Sequence, residues 1–230
     1  MSGNVAIITA RGGSKRIPGK NIKEFCGKPI LQYSIQAAID SGIFDEIMVS
    51  TDDAEIAEMT IACGAKVPFM RSSKNSDDFA TTADVIGEVL AEYKKTDREF
   101  QYACCIYPTA PFVTGKKLQD AMRELIASDA DSVIPVVGFS YPPQRGFVIE
   151  NGRLKMKWPE HLNSRSQDLE TIYHDCGQFY CFKISSFQQT GKLVMDNTIP
   201  FQIPELQVQD IDTEEDWKLA ELKYRMLNNL

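Results

Sequence analysis

Short apolar runs alternate with longer amphipathic stretches along most of the chain. The first run, at residues 5–9, is followed by similar runs at residues 47–51 and 102–106. Runs of this length with few polar residues are typical of strands that are buried on both faces of a parallel sheet. The same pattern predicts four further strands, at residues 66–70, 132–137, 178–183 and 206–211.

Helices are predicted in the stretches between these strands. One begins at Pro29 and ends before Gly42, the usual positions of proline and glycine at helix ends. Another follows Thr81 or Thr82, either of which can cap it, and Thr213 is expected to cap a closing helix. The residues of the closing helix that are predicted to be buried are Trp217, Ala220, Leu222, Tyr224 and Leu227.

The order of these elements indicates an α/β fold, with a mostly parallel sheet and helices on both faces. Ligands of such folds bind at the carboxyl ends of the strands. The alternation stops after Gly138, and Asn151-Gly152 is a strong turn signal between two short extended segments. We therefore predict one domain formed by residues 1–139 and 174–230, with a hairpin-bearing insertion at residues 140–173.

The composition is that of a globular protein whose charge is unevenly distributed. The 230 residues are 43% apolar and 25% charged, with a net charge of −7. An acidic chain is not expected to bind nucleic acid in general, because such binders present a basic surface. The first 28 residues nevertheless hold six basic residues and one acidic residue. A basic corner on an acidic protein favours a small, highly charged anion as the ligand.

Apolar runs and cysteines both bear on location. No run approaches the length of a membrane-spanning helix, and residues 5–9 are too short for the apolar core of a signal peptide. Three of the six cysteines, Cys63, Cys104 and Cys105, lie in apolar surroundings and are interpreted as reduced packing residues. These features predict a cytoplasmic protein without a membrane partner.

A loop rich in glycine and basic residues follows the first predicted strand. Its glycines let backbone N–H groups approach a triphosphate, and its basic residues supply positive charge. It is not a Walker A loop, because five residues rather than four separate Gly13 from Gly19, and Asn21 replaces the Ser or Thr that binds magnesium. The alternative is a solvated basic turn. The loop residues concerned are Arg11, Gly12, Gly13, Ser14, Lys15, Arg16, Gly19 and Lys20.

Two acidic residues near the end of the chain form a candidate metal site. Alternate residues of an extended segment point to the same side, so Asp210 and Asp212 offer two carboxylates together. Such a pair suits Mg²⁺, which is often held by one or two carboxylates and substrate phosphates. The alternative is that Asp212 or Thr213 only caps the last helix.

Three further segments carry candidate binding residues. Arg71 and Thr82 could contact a nucleotide, although a lone arginine is commonly solvated and a threonine pair is commonly a cap. Residues 107–111 contain two prolines and form either a binding loop or a stiff surface turn. Arg165 could clamp a sugar carboxylate. Residues 174–176 are not interpreted as catalytic, because neighbours on a strand point to opposite faces and no third group is evident.

Taken together, these motifs resemble those of the CMP-sialic acid synthetases. The matching segments are residues 10–22, Arg71 with residues 78–82, residues 107–111 and residues 210–213, in the same order and across nearly the whole chain. The resemblance implies a Rossmann-like fold with an insertion that packs two subunits together. It also implies a reaction that joins CTP to an acidic nine-carbon sugar and releases pyrophosphate.

The resemblance implies a role for each matching residue. Lys20, Arg11 and Asp210 are implied as catalytic residues, and Asp210 and Asp212 as ligands of Mg²⁺. The implied nucleotide-binding residues are Arg11, Gly12, Gly13, Ser14, Lys15, Lys20, Asn21, Arg71, Thr82 and Thr109. The predicted sugar-binding residues are Tyr107, Arg165, Gln178 and Tyr180, of which Arg165 is a candidate to reach the site of the other subunit.

Two departures from the sialic acid synthetases narrow the expected substrate. Tyr107 stands where those enzymes have a glutamine that touches the sugar, and residues 175–178 replace a stretch that contains Asn-Gly. Residues 161–169 and 173–175 look more like the pseudaminic acid cytidylyltransferase branch of the family. The alternatives are N-acetylneuraminate or Kdo as the sugar and, outside the enzymes, a nucleotide-binding regulator.

Overall fold

The first strand, β1 (Gly3–Thr9), shows how the sheet is buried. In the computed structural model, which describes residues 3–230, Val5 and Ile7 face one side of the sheet and Ala6 and Ile8 the other. All four side chains are fully buried. Because successive side chains of a strand point to opposite faces, such an apolar run needs cover on both sides.

The remaining helices and strands follow in chain order. A small hairpin of β2 (Glu24–Phe25) and β3 (Lys28–Pro29), which the sequence did not predict, lies before α1 (Ile30–Ser41). Next come β4 (Glu46–Ser50), α2 (Ala54–Ala62), α3 (Thr82–Lys95), β5 (Phe100–Ile106), α4 (Gly115–Ala127) and β6 (Ser132–Gly138). The last are β7 (Phe147–Glu150), β8 (Arg153–Met156), β9 (Tyr173–Asp175), β10 (Phe179–Lys183), α5 (Ile184–Thr190), β11 (Thr198–Gln202) and α6 (Glu214–Asn228).

The central sheet is mostly parallel, as the sequence predicted. Its strand order is β11-β6-β10-β5-β1-β4, and β9 also pairs with β6. β1 is parallel to both β4 and β5, and β6 is parallel to β11. β10 lies antiparallel between β5 and β6. The carboxyl ends of β1, β4 and β5 therefore meet at one edge of the sheet, where ligands of such folds bind.

Helices cover both faces of the sheet. α1 and α4 pack on one face, and α3 and α5 on the other. α6 packs on the β2–β3 hairpin, where the rings of Phe25 and Trp217 lie 5.5 Å apart. The α/β class with helices on both faces is thus confirmed. No helix within residues 3–230 is long and apolar enough to cross a membrane.

Two predicted strands were wrong. Residues 66–70 contribute only a single bridge, between Met48 and Lys66, because Pro68 interrupts the segment and has no N–H to donate to a sheet. Residues 206–211 form no strand, and a 3₁₀ turn covers Glu205–Gln207. The buried side chains there, Val208 and Ile211, are three residues apart rather than two.

The predicted buried face of the closing helix was partly wrong. Trp217 and Ala220 are buried and Tyr224 is half-buried, which places these three on one face of α6. Leu222 is 60% exposed and Leu227 is 37% exposed. Because α6 packs through one face only, apolar residues on its other side remain in solvent.

The predicted insertion contains the expected hairpin. β7 and β8 form a separate two-stranded sheet in which Glu150 pairs with Arg153. Asn151 and Gly152 connect them with φ angles of 52° and 73°, the left-handed conformation that this pair of residues favours in hairpin turns. The boundaries at residues 139 and 174 stay a prediction, and residues 1–2 of the predicted domain lie outside the described part of the chain.

Candidate active site

A cavity of about 460 Å³ lies at the carboxyl ends of β1 and β5. The loop after β1, the segment between α2 and α3 with the start of α3, and the loop after β5 supply its walls. Nine residues predicted to bind nucleotide or sugar line it: Arg11, Ser14, Lys15, Lys20, Asn21, Arg71, Thr82, Tyr107 and Thr109. The structure therefore brings together residues that lie up to a hundred positions apart in the chain.

Of the two glycines at the start of the basic loop, only Gly12 stands at a position with no room for a side chain. A Cβ atom at Gly12 would lie 2.6 Å from the side chain of Asp53, so no other residue fits there without movement. The N–H of Gly12 donates to Asp52 at 2.9 Å. Gly13 has open space and no positive φ, and its predicted close approach to a phosphate stays a prediction. Neither glycine lines the cavity.

Lys20 joins the basic loop to the acidic segment before α6. Its Nζ donates to the backbone oxygen of Ile211 at 2.7 Å and lies 3.7 Å from Oδ1 of Asp212. Arg16 contacts the same oxygen at 2.6 Å. Burial lowers the pKa of Lys20, while the charge of Asp212 opposes that shift. The two candidate motifs thus meet in space, although neither aspartate lines the cavity itself.

Asp210 and Asp212 differ in their electrostatic surroundings. Asp212 is held by two basic side chains, whereas Asp210 forms no ion pair within residues 3–230. Partial removal from water, and then the neighbouring charge of Asp212, raise the pKa of Asp210. A carboxylate without a direct ion pair beside a paired one is a donor set that fits a hard divalent cation. No group of three or more His, Cys, Asp or Glu side chains in the described chain could hold a metal ion by itself.

Arg71 is held rigidly at the end of β4. Only 8% of its surface is exposed. Its Nε donates to Oγ of Ser50 at 3.0 Å, and its Nη2 donates to the backbone oxygen of the same residue. Burial lowers the pKa of the guanidinium, which stays charged because its ordinary value is so high. Within residues 3–230 no protein acceptor contacts Nη1, which leaves that nitrogen for a ligand.

Asn21 and Thr82 are fixed by contacts within the site. Asn21 is 4% exposed, and its Nδ2 donates to the backbone oxygen of Arg11 at 2.8 Å. This bond holds the start of the basic loop against its end. Thr82 begins α3, and its hydroxyl lies 3.3 Å from that of Tyr107. Asn21 therefore positions the basic loop, and Thr82 connects the start of α3 with the loop after β5.

The predicted sugar-binding residues do not all reach the cavity. Tyr107 lines it and packs against the ring of Tyr180 at 5.5 Å, while the hydroxyl of Tyr180 donates to Asp175. Gln178 is 2% exposed, and its Nε2 donates to the backbone oxygen of Gln207 at 2.7 Å. The amide of Gln178 is thus directed into the protein, and its predicted contact with the sugar stays a prediction.

Arg165 lies outside this cavity. Its side chain is exposed and pairs with Asp168 in the predicted insertion, at 2.6 Å. Within a single chain, Arg165 therefore does not line the cavity beside the basic loop. Its predicted place in the site of a second subunit stays a prediction.

Asp78 belongs to the predicted motif that begins at Arg71, but its contacts with the basic loop were not predicted. Nη1 of Arg11 donates to the backbone oxygen of Asp77 at 2.9 Å and lies 3.0 Å from Asp78. Lys15 also pairs with Asp78. Asp77 and Asp78 are adjacent acidic residues of this motif, which is the feature of the sequence that could have indicated a contact with basic residues. Their partners, Arg11 and Lys15, lie more than sixty positions away in the chain.

Comparisons with known proteins identify the family of the chain. The sequence model of the cytidylyltransferase family matches residues 5–183. The chain is 39% identical over 224 residues to the pseudaminic acid cytidylyltransferase of Campylobacter jejuni, with 97% of each chain covered. It is 32% identical over 225 residues to the CMP-N,N'-diacetyllegionaminic acid synthase of Legionella pneumophila, with 94% of each covered.

Among solved structures, one similar fold is that of CMP:2-keto-3-deoxy-manno-octonic acid synthetase complexed with CTP. The two chains superpose with a TM-score of 0.72 over 100% of each, at 18% sequence identity. At this identity the likeness concerns the fold alone.

Proposed function

The chain belongs to the cytidylyltransferase family, and we propose that it joins CTP to pseudaminic acid to give the CMP-sugar and pyrophosphate. The similarity to a pseudaminic acid cytidylyltransferase over 97% of both chains supports this substrate. The observation that carries the proposal is the contact between the basic loop and the acidic segment. Lys20, a residue of the loop that lines the cavity, contacts both Ile211 and Asp212 of that segment.

The cavity is suited to a nucleoside triphosphate. Arg11, Lys15 and Lys20 place positive charge along one wall, and a triphosphate would replace the contacts that two of them make with Asp78. The cytidine part is bound by residues on the other walls. These residues are Asn21, Arg71, Thr82 and Thr109.

The reaction is an in-line displacement at the α-phosphorus of CTP. The anomeric hydroxyl oxygen of the sugar forms a new O–P bond, its proton is released, and the bond to pyrophosphate breaks. Positioning and charge neutralisation dominate such reactions, because the protein does little covalent chemistry. Lys20 and Arg11 stabilise the charge that develops on the phosphate oxygens.

Asp210 and Asp212 are the residues that would hold Mg²⁺. Their carboxylates offer only oxygen ligands, and burial, followed by the charge of Asp212, raises the pKa of Asp210, so a cation bound beside both carboxylates would favour its ionised form. When bound, the cation would neutralise the charge of phosphate groups beside Asp210 and Asp212. Lys20 holds the backbone at Ile211, between the two carboxylates, and so fixes their spacing.

We further propose that residues 140–173 pack two subunits into a homodimer around catalytic domains formed by residues 1–139 and 174–230. Clustered large apolar residues at a protein surface mark interaction sites. Within a dimer, Arg165 of one subunit would approach the sugar beside Tyr107 of the other. The exposed apolar side chains that support this interface are Tyr141 (88% exposed), Phe147 (60%), Ile149 (76%), Leu154 (72%) and Leu162 (61%).

The test is a pyrophosphate-release assay with CTP, magnesium and one nonulosonic acid at a time. We expect the highest kcat/KM with pseudaminic acid and lower values with N-acetylneuraminic acid, N,N'-diacetyllegionaminic acid and Kdo. A higher kcat/KM with any of the other three would assign the site to that sugar. Tight CTP binding without pyrophosphate release from the whole panel would point to a nucleotide-binding regulator instead.

A further inference from the structure

A second cavity, of about 370 Å³, lies among α1, the start of α4 and the end of α6. Its volume is within the range of roughly 300–1,000 Å³ that is typical of small-molecule sites. None of the residues assigned above to nucleotide, sugar or metal lines it. It is therefore separate from the candidate active site.

The main polar feature of this cavity is the amine of Lys117, in the first turn of α4. The side chain is half-buried, and its Nζ donates to the backbone oxygen of Phe112 at 2.8 Å. Burial lowers the pKa of Lys117 to about 8, so the amine still carries its proton at neutral pH. Within residues 3–230 it forms no ion pair with a carboxylate. A partly desolvated positive charge without an anionic partner favours an anion beside it.

The other charged residues of the cavity do not neutralise Lys117. Lys28 adds a second positive charge, with its Nζ 4.2 Å from the ring centre of Tyr33. Asp40 is the one carboxylate among the residues that line the cavity, and it accepts from Nε2 of Gln36 at 2.7 Å. The cavity therefore holds an excess of positive charge.

The remaining wall is aromatic and apolar. The ring of Tyr224 lies 5.1 Å from that of Tyr33 and 6.3 Å from that of Phe112. Leu227 continues this wall toward the end of α6. Small-molecule sites commonly combine such a wall with a few charged groups that fix orientation.

We propose that this second cavity binds a small organic anion whose phosphate or carboxylate contacts Lys117 and Lys28 and whose body packs on the aromatic wall. Its location connects it to the candidate active site. Pro108 and Thr109 line the active-site cavity, while Pro111, Phe112 and Val113 line the second one. A ligand there contacts the same loop from behind.

The first experiment measures the acetylation of Lys117 by a water-soluble amine-acetylating reagent, with peptides quantified by mass spectrometry. The probes are CMP, benzoate and inorganic phosphate, and the protein is the intact Arg11→Ala variant, which weakens binding of the same probes at the active site. An anion that raises the pKa of the amine by about one unit lowers its neutral fraction about tenfold at neutral pH. We therefore expect CMP or benzoate to slow acetylation of Lys117 about tenfold.

Lys116 provides the internal control in the same peptide. It is exposed and pairs with Asp120 at 2.5 Å, so its acetylation should not change with either organic probe. Inorganic phosphate at the same concentration should protect Lys117 less, because it has no body to pack on the rings. Equal protection by phosphate, or equal slowing at Lys116, would overturn the proposal.

A second measurement does not depend on the labelling reaction. CMP or benzoate should raise the melting temperature of the Arg11→Ala protein, and the added substitution Lys117→Met should abolish that shift. The matched substitution Lys116→Met should leave it intact. The proposal is refuted if both organic probes produce no shift, or if Lys117→Met leaves the shift unchanged.

Discussion

At the scale of single residues, the charge of Lys20 is set by two opposing influences. Burial lowers its pKa, and the carboxylate of Asp212 favours the protonated form. The amine is already held in place by the backbone oxygen of Ile211, so little reorganisation is needed when a phosphate arrives. Such a fixed charge is most effective where charge develops in the transition state.

Lys20→Ala should therefore lower kcat by about 10²–10³, as the loss of one preorganised charge-stabilising donor does in other enzymes. The measurement is steady-state pyrophosphate release at saturating CTP and sugar. Lys23→Ala is the matched control, because Lys23 pairs with Glu214 outside the cavity and should keep kcat within a few-fold. A near-normal kcat for Lys20→Ala would remove this residue from the chemistry.

Asp210→Asn should increase the stability of the metal-free protein and lower its activity at a given magnesium concentration. Because the pKa of Asp210 is raised in the folded chain, the folded state binds its proton more tightly than the unfolded state does. The stability that this proton confers is fully present below the unfolded pKa and is lost as pH rises through the folded pKa. At neutral pH the ionised carboxylate is therefore unfavourable without a metal, and the neutral amide removes that penalty.

Urea unfolding in magnesium-free buffer measures the effect. The free energy of unfolding of Asp210→Asn should exceed that of the wild type at pH 7, and the difference should vanish in acid. Asp212→Asn is the contrasting variant, because it loses its ion pairs with Arg16 and Lys20 and should not gain stability. Both substitutions should raise the magnesium concentration needed for half-maximal activity. An unchanged magnesium response would exclude metal binding by these residues.

At the scale of elements, the start of α6 fixes the acidic segment. Oγ1 of Thr213 accepts from the N–H of Asp216 at 3.2 Å, and the carboxylate of Asp216 accepts from the N–H groups of Thr213 and Asp212 at 2.8 and 3.2 Å. The helix cap and the candidate metal ligands therefore share one network of hydrogen bonds. The capping interpretation of Asp212 and Thr213 is compatible with metal binding, because the cap uses the backbone N–H of Asp212 and not its carboxylate, which pairs with Arg16 and Lys20.

Thr213→Ala should lower the free energy of unfolding by about 1 kcal/mol, the typical loss for a helix N-cap. It should also raise the magnesium requirement, because the segment that carries Asp212 becomes less fixed. Thr81→Ala removes the equivalent capping box from α3 and provides the comparison. We expect both variants to lose a similar free energy of unfolding and only Thr213→Ala to change the magnesium requirement. Equal magnesium requirements in the two variants would contradict the proposed connection between the helix cap and the metal ligands.

The elements also show where periodicity is a sufficient guide. β1, β4 and β5 were predicted because a strand buried on both faces has a continuous apolar run. Residues 206–211 carry apolar residues at intervals that a strand also allows, but their burial depends on contacts with other elements. β11 was missed because only two of its five residues, Ile199 and Phe201, are large and apolar.

At the scale of the whole molecule, the proposed dimer would decide whether the active site is complete in one chain. Its hairpin exposes apolar residues, and Arg165 has no contact with the cavity of its own subunit. An isologous dimer would offer each site the insertion of its partner, because both subunits use the same surface. The site would then consist of residues from two chains.

Mixing two inactive variants tests this arrangement. In a dimer of Lys20→Ala with Arg165→Ala subunits, one site retains both residues if Arg165 acts on the partner. Random re-pairing of equal amounts should then restore about a quarter of the wild-type activity, because half of the dimers are mixed and each has one intact site. Activity that stays at the sum of the two separate variants would place Arg165 in its own subunit or outside the reaction.

The sequence by itself determined the α/β class, the hairpin at Asn151-Gly152, the caps of α3 and α6 and the family. Each of these depends on residues that are close in the chain, through strand and helix periodicity or local hydrogen bonds. The family was recognised because its motifs keep their order and spacing along the chain.

Only the tertiary structure decided which distant residues meet. Lys20 and Ile211 are separated by 191 positions, and no local pattern predicts that contact. The same holds for the antiparallel placement of β10, the inward direction of the Gln178 amide and the second cavity around Lys117. The physical reason is that such contacts result from the packing of whole helices and strands against each other. The periodicity of the sequence shows which face of a helix or strand is buried, but it does not show which other element covers that face.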